Sequence, residues 1–126
     1  MKVFRIPVFV LLLILIFSLF NSVALSRRCE DWTAQLEAAD TAAQQEDWAS
    51  ARQKLESAYD DWKQHQTWLH IVIEHKEIDT AESLLQRCRV LGQEEDSVEF
   101  RSTLADLCSQ IRLLNEMERV SIKNIL

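Results

Sequence analysis

The chain has 126 residues, with 14 Lys+Arg, 20 Asp+Glu, three Cys, one Gly and one Pro. From Arg27 onward 12 basic residues meet 20 acidic ones, a net charge of −8, which repels phosphate backbones and excludes a nucleic-acid partner. The roughly 100 residues after position 26 suffice for one compact domain and not two. With so few chain breakers, sheet-forming turns have little to work with, and the expected class is all-α.

In chain order, Met1–Arg5 is short and carries Lys2 and Arg5, and Ile6–Phe20 is apolar at every position except Pro7 and Ser18. As a helix, the stretch from Ile6 to Leu25 reaches about 30 Å, enough to cross a hydrocarbon core, so the lipid bilayer is the partner expected for residues 6–25. Apolar character continues through Val23, Ala24 and Leu25 to a stop at Arg27-Arg28. That favours a retained anchor, residues 1–26, over a secretory signal cleaved after Ala24, although Ser22-Val23-Ala24 offers small residues for such a cut. A lipoprotein is disfavoured, because Cys29 follows Ser26-Arg27-Arg28. Lys2 and Arg5 nearly balance Arg27 and Arg28, so the positive-inside rule gives a small bias. The N-terminal amine together with Glu30 and Asp31 tips the expectation to a cytoplasmic N-terminus. Residues 27–126 are then an extracytoplasmic domain on a single-pass anchor in the cell membrane.

Four apolar stripes follow at helical spacing. The first is Cys29, Trp32, Leu36, Ala39 and Ala43, ended by Gln44-Gln45-Glu46, after which Asp47 is placed to cap the next helix. The second, Trp48, Ala51, Leu55, Ala58, Trp62, His65, Leu69 and Val72, predicts an amphipathic helix of about seven turns. A change of phase follows: Trp68, Ile71, His75, Ile78, Ala81 or Glu82, Leu85 and Cys88 define a face displaced by about 100°. An unbroken helix from Trp48 to Leu91 runs about 66 Å, too long for so small a domain, so a kink or turn is expected near Glu74-His75-Lys76. Gly92 is expected to stop that helix in left-handed geometry, and Asp96-Ser97-Val98-Glu99 fits a capping box with an acidic N-cap. The fourth stripe is Phe100, Leu104, Leu107, Ile111 and Leu114, with Cys108 and Met117 alongside. The tail from Val120 to Leu126 is expected to dock on its own bundle, with a partner-docking segment as the alternative. The whole reads as an N-terminal transmembrane helix followed by a small antiparallel bundle of three to four helices. Glu30-Asp31-Trp32, Glu46-Asp47-Trp48 and Asp60-Asp61-Trp62 echo one another, but no 34-residue tetratricopeptide period recurs.

The polar residues give no strong chemical signature. His65, His70 and His75 are five apart, about 140° between neighbours on a regular helix, and cannot converge on one ion from one helix. His70 with Glu74, and His75 with Asp79, make i, i+4 pairs, but zinc needs at least three protein ligands. A metal or small-ligand sensor built on His70, Glu74, His75 and Asp79 is therefore an alternative to a protein with no metal and no cofactor. The plainer account has His75 half-buried at the start of the third helix. Cys88 and Cys108 flank the Gly92 turn at an axial offset of roughly 10 Å, too far for a disulfide; buried thiols are expected, with Cys29 a candidate intermolecular contact. Asp60-Asp61 and Glu94-Glu95 read as solvated faces. Trp48 and Trp62 belong to the core stripe; Trp32 and Trp68, nearer the stripe ends, are expected in the core, with a groove lining or the membrane interface as alternatives. No Gly-x-Ser-x-Gly, phosphate loop or Cys-His spacing stands out, so no enzyme is expected.

The run from Trp68 to Asp79, with the Asp47-Trp48 and Trp62-Lys63 landmarks and the ending Ser121 to Leu126, resembles a family of small bacterial proteins of unknown function. Its members have one N-terminal membrane segment, a helical region, a His-x-Glu-Ile-Asp element and an ending close to Ser-x-Lys-Asn-Ile-Leu. The resemblance covers almost the whole chain and implies a membrane-anchored, mostly extracytoplasmic helical protein without a known activity. It singles out His75, Glu77, Ile78, Asp79, Asn124 and Ile125 for an interaction role and brings no catalytic residue; the three cysteines have no place in it. The leading expectation is an interaction or scaffold module that binds another membrane or envelope protein.

Overall fold

Residues 2–125 are described by a computed structural model, and Lys2–Gln44 form one helix in it, α1, of 43 residues. At 1.5 Å per residue α1 is about 64 Å long. Its first half is exposed and apolar, from Val3 to Phe20, and is long and apolar enough to cross a membrane. Its second half turns the predicted stripe of Cys29, Trp32, Leu36, Ala39 and Ala43 inward, together with Leu25. One helix thus serves two environments, and the change falls between Phe20 and Leu25.

Four further helices complete the chain: α2 (Trp48–Gln64), α3 (Gln66–Val72), α4 (His75–Glu94) and α5 (Ser97–Ile125). α1 packs against α2 and α5, and α4 packs against α2 and α5, so the inner half of α1 and α4 lie diagonally across an antiparallel bundle. The core is made by Trp32, Leu55, Trp62, Ile78, Leu85, Phe100, Leu107, Ile111 and their neighbours, which follow the four stripes read from the sequence, except that Ile71 and His75 of the third are exposed. Among the described residues there is no strand. The expected all-α bundle behind an apolar N-terminal helix is the fold observed.

The two turns at the far end of the bundle share one design. Glu46 (φ 60°) and Glu95 (φ 56°) both take left-handed backbone, and each is followed by an aspartate that caps the next helix. Asp47 accepts from the Ser50 N–H at 3.2 Å, and Asp96 from the Glu99 N–H at 3.2 Å. The Asp47 and Asp96 N–H groups reach back to the carbonyls of Ala42 and Leu91, closing the preceding helices as in a Schellman turn. Gly92, expected to end its helix, is instead helical and buried, and α4 continues to Glu94. Its lack of a side chain serves packing: a Cβ there would stand 3.2 Å from Cε2 of Phe100. Left-handed geometry falls on Glu95 because the close approach of Phe100 claims the glycine.

The helix of seven turns predicted from Trp48 to Val72 is in fact two. The chain bends at His65 (φ −99°, ψ 3°), where no Gly or Pro is present. The imidazole supplies the cause: its Nδ1 donates to the Asp61 carbonyl at 2.8 Å, competing with the His65 amide for the same oxygen. A side chain inserted into the backbone ladder bends a helix. The break expected near Glu74 is present, with Ile73 and Glu74 extended.

Candidate functional site

The end of the bundle nearest the exposed half of α1 gathers its most connected polar and aromatic side chains. Trp32 of α1 meets Trp62 of α2 edge to face, ring centroids 5.1 Å apart. Trp32 is 1 % exposed, so its indole N–H needs a protein acceptor. Asp61 provides it, and the same carboxylate also accepts from Arg28 at 3.4 Å and lies 3.7 Å from His65 Nδ1. The aromatic path continues from Trp32 to His65 (6.3 Å) and from His65 to Trp68 (6.2 Å). It ends where the Trp68 indole donates to the Asn21 side chain at 3.3 Å, one residue beyond the apolar run. Arg119 of α5 reaches Ser26 of α1 at 3.4 Å at the same end.

Sequence reasoning missed Asp61, because Asp60-Asp61 looked like a solvated acidic pair. Asp60 is indeed exposed, whereas Asp61 is half-buried. A signal was available: Asp61 stands three residues after Ala58 and next to Trp62, at the edge of the core stripe. Trp32 joins the core, and Trp68 is half-buried and bonded at its rim.

The break at Ile73-Glu74 changes the relation among the histidines. On a continuous helix His70 and His75 diverge; here their rings lie 4.4 Å apart, tilted by 37°. His75 Nε2 is 3.7 Å from Asp79, and both side chains are largely exposed, 76 % and 60 %. The expectation of a half-buried His75 is therefore corrected: it begins α4 in solvent. Glu74 is exposed and makes no side-chain capping bond. His70, Glu74, His75 and Asp79 do not assemble an ion-binding group; among the described residues no three of His, Cys, Asp and Glu do so.

The remaining landmarks divide between core and surface. Glu77 accepts from Gln110 Nε2 at 2.8 Å, tying the start of α4 to α5, and Ile78 is fully buried. Both thus position α4. Asn124 is exposed, and the side chain of Ile125 lies outside the described residues.

The three thiols are free and buried. Burial, with Glu30 adding a little, pushes the Cys29 thiol up to about 12. Burial, with Cys108 adding, does the same for Cys88, and Cys108 is raised for the same first reason. Protonated, enclosed thiols are poor nucleophiles. Cys29 therefore does not present itself for contact with another chain. Between α1 and α5 runs an open groove of about 350 Å³ lined by Leu36, Leu104 and Cys108. Ion pairs flank it, Arg101–Asp40 at 2.9 Å and Arg112–Glu37 at 3.4 Å.

Residues 19–125 match a family described as a domain of unknown function (DUF4363), and the chain belongs to that family. No curated protein and no solved structure matches it. The matched stretch opens two residues before Asn21, so it takes in the whole bundle and the polar end just described.

Proposed function

We propose that this family member is a membrane-anchored helical module with no catalytic activity of its own, working by contact with another membrane or envelope protein. One observation carries the reading: α1 is exposed and apolar from Val3 to Phe20 and buried core from Leu25 to Ala43. A helix bare and apolar on all sides calls for lipid around it. The bundle is then joined to the membrane by a shared helix, with no flexible tether between them.

The same continuity favours retention over cleavage after Ala24. Such a cut removes Asn21, the acceptor for Trp68, and puts an ammonium group on Leu25, which is 0 % exposed. Charge on a buried residue is costly. In favour of a non-enzymatic role, the thiols are enclosed and many carboxylates, such as Asp40, Glu56 and Glu82, are engaged by cations across helix interfaces. The proposed orientation places the bundle outside the cytoplasm.

The test has two parts. Intact-mass measurement of protein extracted from membranes is expected to find a chain beginning at Met1; a chain beginning at Leu25 refutes the anchor. Pull-down of the full chain from detergent-solubilised membranes is expected to recover a stoichiometric protein partner. Reproducible recovery of the chain alone, or substrate turnover by the purified protein, refutes the contact role.

A further inference from the structure

We infer that α3 is seated in the headgroup region of the bilayer, so that the bundle rests on the membrane along a second element besides α1. The inference rests on the membrane-anchor reading and adds a fixed docking face to it.

The geometry comes from two contacts between α1 and the α2–α3 segment. Arg28 pairs with Asp61, and Asn21 accepts from Trp68. The second contact lies seven residues back along α1 and seven forward along the other strand of the pair. Trp68, in the first turn of α3, therefore lies at the level of Asn21, just past the apolar run of α1. Ile71, three residues beyond Trp68, lies about 4.5 Å further along α3. Ile71 is 77 % exposed, and Phe17 and Phe20 of α1 are exposed as well.

Charge agrees with position. The chain carries 20 acidic residues, yet Trp62–Ile73 and Arg119–Leu126 contain none. Arg119 contacts Ser26, which puts the start of that second stretch at the same end of the bundle, and Lys123 beyond it is exposed. An aromatic with its N–H on a polar partner, an exposed aliphatic beside it and nearby cations are the groups that suit a water–lipid boundary. The opposite end carries Glu46, Asp47, Glu94, Glu95 and Asp96, all exposed, and these belong in water.

Ile71 and Val98 provide a matched pair for the test, since Val98 at the far end is 78 % exposed. Leu12→Cys, Ile71→Cys and Val98→Cys are each made in the full chain, spin-labelled and reconstituted in phosphatidylcholine–phosphatidylglycerol vesicles. The wild type, with its buried thiols, is the labelling blank. Collision with oxygen, which concentrates in hydrocarbon, is compared with collision with a water-soluble nickel complex. The expected oxygen-to-nickel ratio at Ile71 rises well above that at Val98, towards that at Leu12. A ratio at Ile71 equal to that at Val98, with Leu12 deep, overturns the seating of α3 and leaves the anchor standing. Aqueous ratios at all three positions overturn both.

Discussion

Replacing Asp61 is the sharpest test of how the bundle is held at the end nearest the apolar half of α1. Asp61→Ala removes the acceptor of the Trp32 indole, which is 1 % exposed and cannot turn to solvent instead. A buried donor left unpaired costs about 1–3 kcal/mol. The lost Arg28 contact adds about 0–1 kcal/mol, since Arg28 is 41 % and Asp61 24 % exposed. The expected loss is about 1–4 kcal/mol, or a fall in Tm of roughly 5 °C or more for a domain of this size. Asp61→Asn keeps an oxygen for the indole and gives up the charge, so about half that loss is expected. Thermal unfolding of the full chain in detergent, followed by tryptophan fluorescence, reads both. In a Trp32→Phe background the cost of Asp61→Ala should shrink by about 1–2 kcal/mol, because the orphaned donor is gone. Equal Tm values for the Ala and Asn variants, or no coupling in that cycle, would refute the assignment of Asp61 as the partner that Trp32 requires.

Other consequences follow from single positions. Glu95 holds left-handed backbone (φ 56°) without being Gly or Asn, so Glu95→Gly should raise stability by about 0.5–1 kcal/mol in urea denaturation, strain relief outweighing glycine's entropy. At Gly92 a Cβ meets Phe100 at 3.2 Å; Gly92→Ala should be near neutral, helix propensity offsetting the contact, while Gly92→Leu should cost about 1–3 kcal/mol by the same measurement. Cys88 is raised from 9.0 to about 12 in the folded protein. Its contribution is complete below pH 9 and lost as pH rises towards 12, up to about 1.4 kcal/mol per pH unit. Urea melts between pH 8 and pH 10.5 should therefore fall less steeply for Cys88→Ala than for the wild type.

Much of this architecture is written in one-dimensional spacing. The stripes through Leu36, Leu55, Leu85 and Leu107 could be read directly because a core-facing position repeats every three to four residues, and neighbouring helices need supply nothing but apolar volume. Asp47 and Asp96 were legible for a similar reason, since a cap acts on its own helix. What escaped depends on distant partners. Gly92 looked like a helix stop because the sequence does not reveal that Phe100 will lie against it. The bend at His65 is driven by a ring nitrogen that reaches a carbonyl four residues back, in a place where the apolar pattern runs on undisturbed. Asp61 looked solvated until α1 brought Trp32 to it, and His70 looked remote from His75 until the chain turned at Ile73. The site residues suggested by resemblance split in the same way: Ile78 and Glu77 are explained by packing on α5, while His75 and Asp79 are exposed and lie 3.7 Å from each other.

Sharing α1 between span and bundle has a mechanical consequence under the proposed orientation. The chain's single glycine lies in α4 and its single proline is Pro7, near the start of α1. Between Ile6 and Gln44 only that proline weakens the helix, and the bond it removes lies in the apolar half, far from the bundle. From Leu25 to Ala43 the buried stretch of α1 rises about 27 Å, which carries the acidic turns at Glu46-Asp47 and Glu94-Glu95-Asp96 to the end farthest from the bilayer. If α3 is seated in the headgroup region as proposed, neither rotation about α1 nor tilt is free, because either one lifts Ile71 out of the boundary or drives Glu74 into it. Under the proposed seating, a partner in the membrane would meet the span and α3, while one approaching from outside would meet the acidic turns first. The groove between α1 and α5 lies along the side, where its Arg101–Asp40 and Arg112–Glu37 pairs present both charges. These three faces differ in chemistry, so a partner's own charge and hydrophobicity decide which of them it meets.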